Sequence, residues 1–101
     1  MLTIRIEKEM IRRLGINPSI VYGELKNQLA EGVCKRGLKF NDFFPCTVDR
    51  LKEETTLSAE QQRNALKILE DKGIIEQALV GLPRVRHFKL IYTGIIAEEE
   101  I

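Results

Sequence analysis

The reactive groups in the sequence are sparse, and their spacing argues against catalysis. Cys34 and Cys46 are too far apart for a Cys-x-x-Cys redox pair. Together with His87 they make at most an incomplete zinc site. The sequence holds no Gly-rich phosphate loop, no nucleophile elbow and no His-Glu-x-x-His pattern. One histidine limits general-base chemistry. Glu53 and Glu54 are adjacent, so they do not share a helix face. The expectation is therefore no enzyme, no metal and no cofactor. A denser signal comes from polar and cationic side chains in two groups: Ser58, Glu60, Gln61, Arg63, Asn64 and Lys67, then Arg84, Arg86, His87 and Lys89. Those types suit contact with base edges and phosphates. Asn64 matches adenine, Arg63 guanine or phosphate, Glu60 the amino group of cytosine, and Lys67 phosphate. Ser58, at a helix start, adds backbone N–H groups that hold anions.

The first group needs a helix to present it. Ser58 followed by Gln61 reads as a capping box, and Gly73 as a stop, so a helix is expected over residues 59–72. At about 100° per residue, Gln62, Ala65, Leu66 and Leu69 form its buried face. Glu60, Asn64, Lys67 and Asp71 lie opposite, with Arg63 on the flank. Thr47 predicts the N-cap of a shorter helix ending near Thr55, with Asp49 in its first turn. The second group belongs to a hairpin. Residues 74–80 and 85–91 read as strands around a Gly81-Leu82-Pro83 turn. There Phe88 and Leu90 alternate into the core and His87 faces the other way.

Upstream, residues 2–6 alternate as a half-buried strand, and Met10, Ile11 and Leu14 predict a short helix ended by Gly15. Asn17 and Pro18 read as the cap and first position of the next helix, striped by Ile20, Val21, Leu25 and Leu29 and stopped at Gly32. Residues 32–42, with Lys35, Arg36 and Lys39, read as an exposed basic loop. Phe43 to Cys46 suggest a brief strand or packed entry segment, and Phe40, Phe43 and Phe44 are assigned to the core.

The chain has 101 residues, 44% hydrophobic and 31% charged, with a formal net charge of +1. That composition fits one folded domain and excludes a strongly basic or disordered protein. Without Glu98, Glu99 and Glu100, sixteen basic residues face twelve acidic ones, a net +4. The reading divides the domain into an extension (1–16), a core (17–92) and a tail (93–101) that frays or supplies an interaction surface. No apolar run approaches the ~18 residues of a membrane span. The charged N-terminus is unlike a signal peptide, so a cytoplasmic location is expected.

The stretch TVDRLKEETTLSAEQQRNALKILEDKGIIE, residues 47–76, resembles a bacterial winged helix-turn-helix. The Leu-Ser turn, Ala65 before Leu66, Leu69 and the Lys-Gly-Ile-Ile exit carry the likeness. GLPRVRHFKL, residues 81–90, is similar to the wing of phage and plasmid replication proteins of the replisome-organiser and DnaD-like group. The resemblance spans roughly residues 17–91. It implies an α+β winged helix that binds double-stranded DNA in replication initiation or transcription control. Helix 59–72 would enter the major groove, and the wing, residues 81–89, would lie on the backbone. A homodimer or other replication proteins are the implied partners. The alternative is a protein-interaction or oligomerisation module without autonomous DNA binding. Helix 59–72 favours that alternative, because Arg63, Lys67 and Lys72 are matched by Glu60, Glu70 and Asp71. So does the expected strand over residues 2–6, which could pair with another chain's edge.

Overall fold

The computed structural model describes residues 3–91. Expectations for Leu2 and for the tail beyond Ile91 lie outside the described residues. Four helices precede a hairpin: α1 (Lys8–Leu14), α2 (Ile16–Arg36), α3 (Val48–Thr55) and α4 (Ala59–Asp71), then β2 (Ile75–Val80) and β3 (Val85–Leu90). A two-residue strand, β1 (Phe44–Pro45), joins the hairpin to give an antiparallel sheet in the order β1-β3-β2. The arrangement is α+β and winged-helix-like, as expected. Among the described residues no helix is long and apolar enough to cross a membrane.

The core forms where α2, α3 and α4 meet the inner face of the sheet. Val21, Leu25 and Leu29 of α2 pack with Leu51, Leu66, Leu69 and Ile75. Phe44 and Phe88 are paired across β1 and β3, with ring centroids 6.3 Å apart. Arg50 braces α3 against α2, 3.8 Å from Glu31, and lies 3.8 Å from Glu54 on its own helix.

Several upstream expectations need correction. Residues 3–6 form no strand. They run as an extended strap over α2, where Asn27 Nδ2 donates to the Thr3 carbonyl at 2.8 Å. Asn27 also donates to the buried Glu24 carboxylate, so the strap is tied to α2 through a satisfied polar cluster. The alternation in this segment is real, because Ile4 and Ile6 are half-buried while Thr3 and Arg5 are exposed. The partner surface is a helix and not a sheet edge. Gly15, with φ 94° and ψ 171°, ends α1 and also caps α2, displacing Asn17 from that role. This backbone conformation is open to glycine. Pro18 falls within the first turn, where a missing N–H costs nothing.

α2 also runs past Gly32 to Arg36 and stops at Gly37, φ 70°. The expected loop over residues 32–42 therefore shortens, and Lys35 and Arg36 occupy the last helical turn, where cations suit the dipole. Phe40 and Phe43 are not core residues. They are 70% and 38% exposed, whereas Phe44 is fully buried. Phe40 stands in the loop, and the pleat of the following strand turns inward at Phe44.

Gly23 marks the closest approach of the strap. A Cβ there would stand 2.7 Å from the Arg5 carbonyl oxygen and 2.7 Å from Ile4 Cγ2. Gly23→Ala would gain up to about 1 kcal/mol of helix propensity. The backbone clash outweighs that gain, and the expected result is a net loss of about 1–2 kcal/mol in urea denaturation.

Candidate nucleic-acid interface

Local sequence fixes the helix-turn-helix. Thr47 Oγ1 accepts from the Arg50 N–H at 3.1 Å and starts α3. Thr55 Oγ1 donates to the Leu51 carbonyl and accepts from the Leu57 N–H at 3.2 Å, holding the turn from the inside. Thr56, at φ 65°, reverses the chain. Ser58 Oγ then accepts from the Gln61 N–H at 3.2 Å, and Gln61 Oε1 accepts from the Ser58 N–H at 2.9 Å. The capping box is complete, so both side chains are engaged in starting α4.

α4 buries Gln62, Ala65, Leu66 and Leu69 and exposes Glu60, Arg63, Asn64, Lys67 and Asp71. The expected outward face is therefore present. Lys67 Nζ lies 3.5 Å from Asp71 Oδ2, an exposed pair one turn apart. Such a pair is weak and opens readily to another anion. Among the described residues no ion pair engages Arg63. Asn64 borders a shallow groove toward the start of α2, with Ile16, Asn17, Gln61 and Ile68. Arg63 and Lys67 border a second groove toward the hairpin, with Val48, Glu70, Gln77 and Arg86.

The four hairpin residues do not act as one basic face. Register places Arg86, Phe88 and Leu90 on the inner side of β3, and His87 and Lys89 on the outer side. Arg84 is exposed in the turn. Lys89 stands opposite Glu76 and 5.9 Å from the centroid of the Phe43 ring. His87 Nδ1 is 3.0 Å from the Val85 carbonyl. Arg86 turns inward. Its Nη2 donates to Gln62 Oε1 at 3.1 Å, and its guanidinium lies 5.2 Å from the Phe88 ring centroid. Its Nε is buried without a hydrogen-bond partner. The Gln62 amide completes the junction by donating to the Val48 and Leu57 carbonyls, each at 3.1 Å. Sequence reasoning placed Gln62 on the buried face but gave it no role. The signal was a polar residue set among Ala65, Leu66 and Leu69.

Burial lowers the pKa of Arg86 from its ordinary value. Burial also pushes the Cys46 thiol up to about 11, outweighing the opposing pull of Arg86. Cys46 is thus a packed thiol, while Cys34 is exposed.

No protein-family model matches the chain, and no curated protein does. Solved structures share its architecture, among them two of equal similarity. One is described as "N-Terminal domain of DNA binding protein" and the other as "Structure of Rep-DNA complex". Each is 22% identical, with a TM-score of 0.70, over 97% of this chain and 86% of that chain. The chain has their fold. Likeness at this identity establishes architecture, and residue roles rest on the geometry above.

Two predictions follow from the Gln62 junction. Gln62→Leu leaves the Leu57 carbonyl and the half-buried Arg86 guanidinium without their Gln62 partner and removes the second bond to the Val48 carbonyl, so a loss of about 2–4 kcal/mol is expected in urea denaturation. Arg86→Met orphans a single amide oxygen and is expected to cost less. In a Cys34→Ser background, Cys46 is expected to resist alkylation at pH 8 until the protein is unfolded. Because its folded pKa is raised, the stability it contributes is complete below the ordinary value of 9.0 and falls as pH climbs toward about 11.

Proposed function

We propose that this chain binds double-stranded DNA, with α4 in the major groove and the hairpin as a wing beside it. The observation that carries this reading is the pairing of two surfaces. The outer face of α4 presents Arg63 and Asn64, and the adjoining hairpin carries Arg84 and Lys89 with Glu76, opposite Lys89, as its one carboxylate. The shared fold of the Rep-DNA complex supports it. Arg63, Asn64, Glu60 and Lys67 are assigned to base edges and phosphates. Arg84, His87 and Lys89 are assigned to the flanking backbone. Ser58 and Gln61 shape the helix start, which faces phosphate through its backbone. Arg86 supports the interface from behind by holding Gln62.

The proposed activity is binding without bond making or breaking, in replication initiation or transcription control of a bacterial, phage or plasmid system, in the cytoplasm. A second reading, docking of another protein or a second copy, is favoured by one observation. Tyr22, Leu29, Phe40, Leu90 and Ile91 line an apolar groove away from α4. DNA binding and dimerisation are compatible, since a symmetric dimer reads two half-sites.

Fluorescence anisotropy with a duplex across a salt series tests the first reading. The expected outcome is binding that weakens linearly in a log–log plot, with Arg63→Ala and Arg84→Ala each lowering the slope by about one. Arg86→Met is expected to leave the slope unchanged. Absence of duplex binding even at low salt would overturn the reading.

A further inference from the structure

The end of the hairpin carries a surface that phosphate contact alone does not explain. Leu82 is 96% exposed, Leu79 60% and Val80 48%. Val80 pairs with Val85 and Leu79 with Arg86, so Leu79 lies on the inner face of the hairpin and Val80 on the outer one. Exposure on both faces means that the tip projects past the body of the domain, with nothing packed on either side. Gly81, at φ 89°, turns the chain there and leaves Leu82 at the apex. A leucine held almost wholly in water is unfavourable relative to a buried one. The tip is therefore an unsatisfied apolar surface with a defined shape.

Charge selects its partner. Arg84 sits two residues from Leu82, and no ion pair engages it among the described residues. The nearest acids in sequence are Glu76 and Glu98, so the tip has one cation and apolar groups but no carboxylate. An apolar wedge flanked by arginine is the chemistry of insertion into a minor groove, where arginine meets a deep negative potential and an aliphatic side chain opens a base step. Gln77 and Arg86, in the middle of the hairpin, border the groove that Arg63 and Lys67 of α4 line, and the tip extends beyond that groove.

We propose that the wing tip enters the minor groove next to the site of α4, with Arg84 in the groove and Leu82 wedged against a base step, so that the duplex bends. This rests on the duplex-binding reading above and assigns a mode of contact to the wing. Leu82 is the contact that bends the DNA, and Arg84 anchors it electrostatically.

The test uses the full chain and a 30-base-pair duplex with a donor and an acceptor dye at its ends. Binding of the wild-type protein is expected to raise energy transfer. Leu82→Ser, at an exposed position that leaves the core untouched, is expected to abolish that rise and weaken binding about tenfold at an unchanged salt slope. Arg84→Ala is expected to lower the slope by about one. If Leu82→Ser binds and bends the duplex like wild type, the wedge is overturned while duplex binding stands. If the wild-type protein binds without bending, the wedge is likewise overturned. If no variant binds duplex at low salt, the underlying reading fails instead. Binding to vesicles of mixed neutral and anionic phospholipid that is lost in Leu82→Ser, with duplex bending unaffected, would also overturn the proposal and assign the tip to a membrane surface.

Discussion

Gln62 is fully buried in α4, and its amide reaches three other parts of the chain. Both N–H donors are used on the Val48 and Leu57 carbonyls, at the start of α3 and in the turn. Its oxygen accepts from Arg86 on β3. Buried polar groups are costly unless satisfied, so these partners must sit where the amide can reach them. The spacing of α3, α4 and the hairpin is thereby set by one side chain. An apolar residue at this position would pack the helix but would not specify the distance to the wing.

The surface around α4 depends on that distance. With the hairpin held close, Arg63 and Lys67 share a groove with the wing while Asn64 looks toward α2. Arg86 gives up solvent to hold the junction, stacked near Phe88, with Nε left unsatisfied. The same interior pushes the Cys46 thiol out of its reactive range. The contact that ties the hairpin to α4 thus draws inward one residue that would otherwise be an exposed cation, and the outward polar character of the wing falls to Arg84, His87 and Lys89. The apolar tip lies beyond this junction, free of the body.

The rear of the domain is organised by a different constraint. α2 is long because Gly32 is accommodated within it, and Gly37 supplies the left-handed residue that ends it. Its far side carries the strap over Gly23, where the absence of a Cβ lets the Arg5 carbonyl approach. These glycines do different work in the same helix. Gly23 gives room to another backbone, and Gly37 adopts a conformation that side chains disfavour.

Features that depend on neighbours a few residues away were legible in the amino-acid order alone. The caps at Thr47 and Ser58, the extent of α3 and α4, the buried face of α4 and the hairpin around Gly81 all arise from hydrogen bonds and periodicities within one or two turns. That was enough for the winged-helix-like order and for the exposed set Glu60, Arg63, Asn64 and Lys67. Tertiary structure decided what depends on distant partners. Residues 3–6 alternate correctly, but only packing shows that their partner is α2. Phe40, Phe43 and Phe44 are alike in type, yet the pleat buries just one of them. Arg84, Arg86 and Lys89 are alike in charge, but strand register turns Arg86 inward, because a residue 24 positions away offers the hydrogen-bond acceptor that its burial requires.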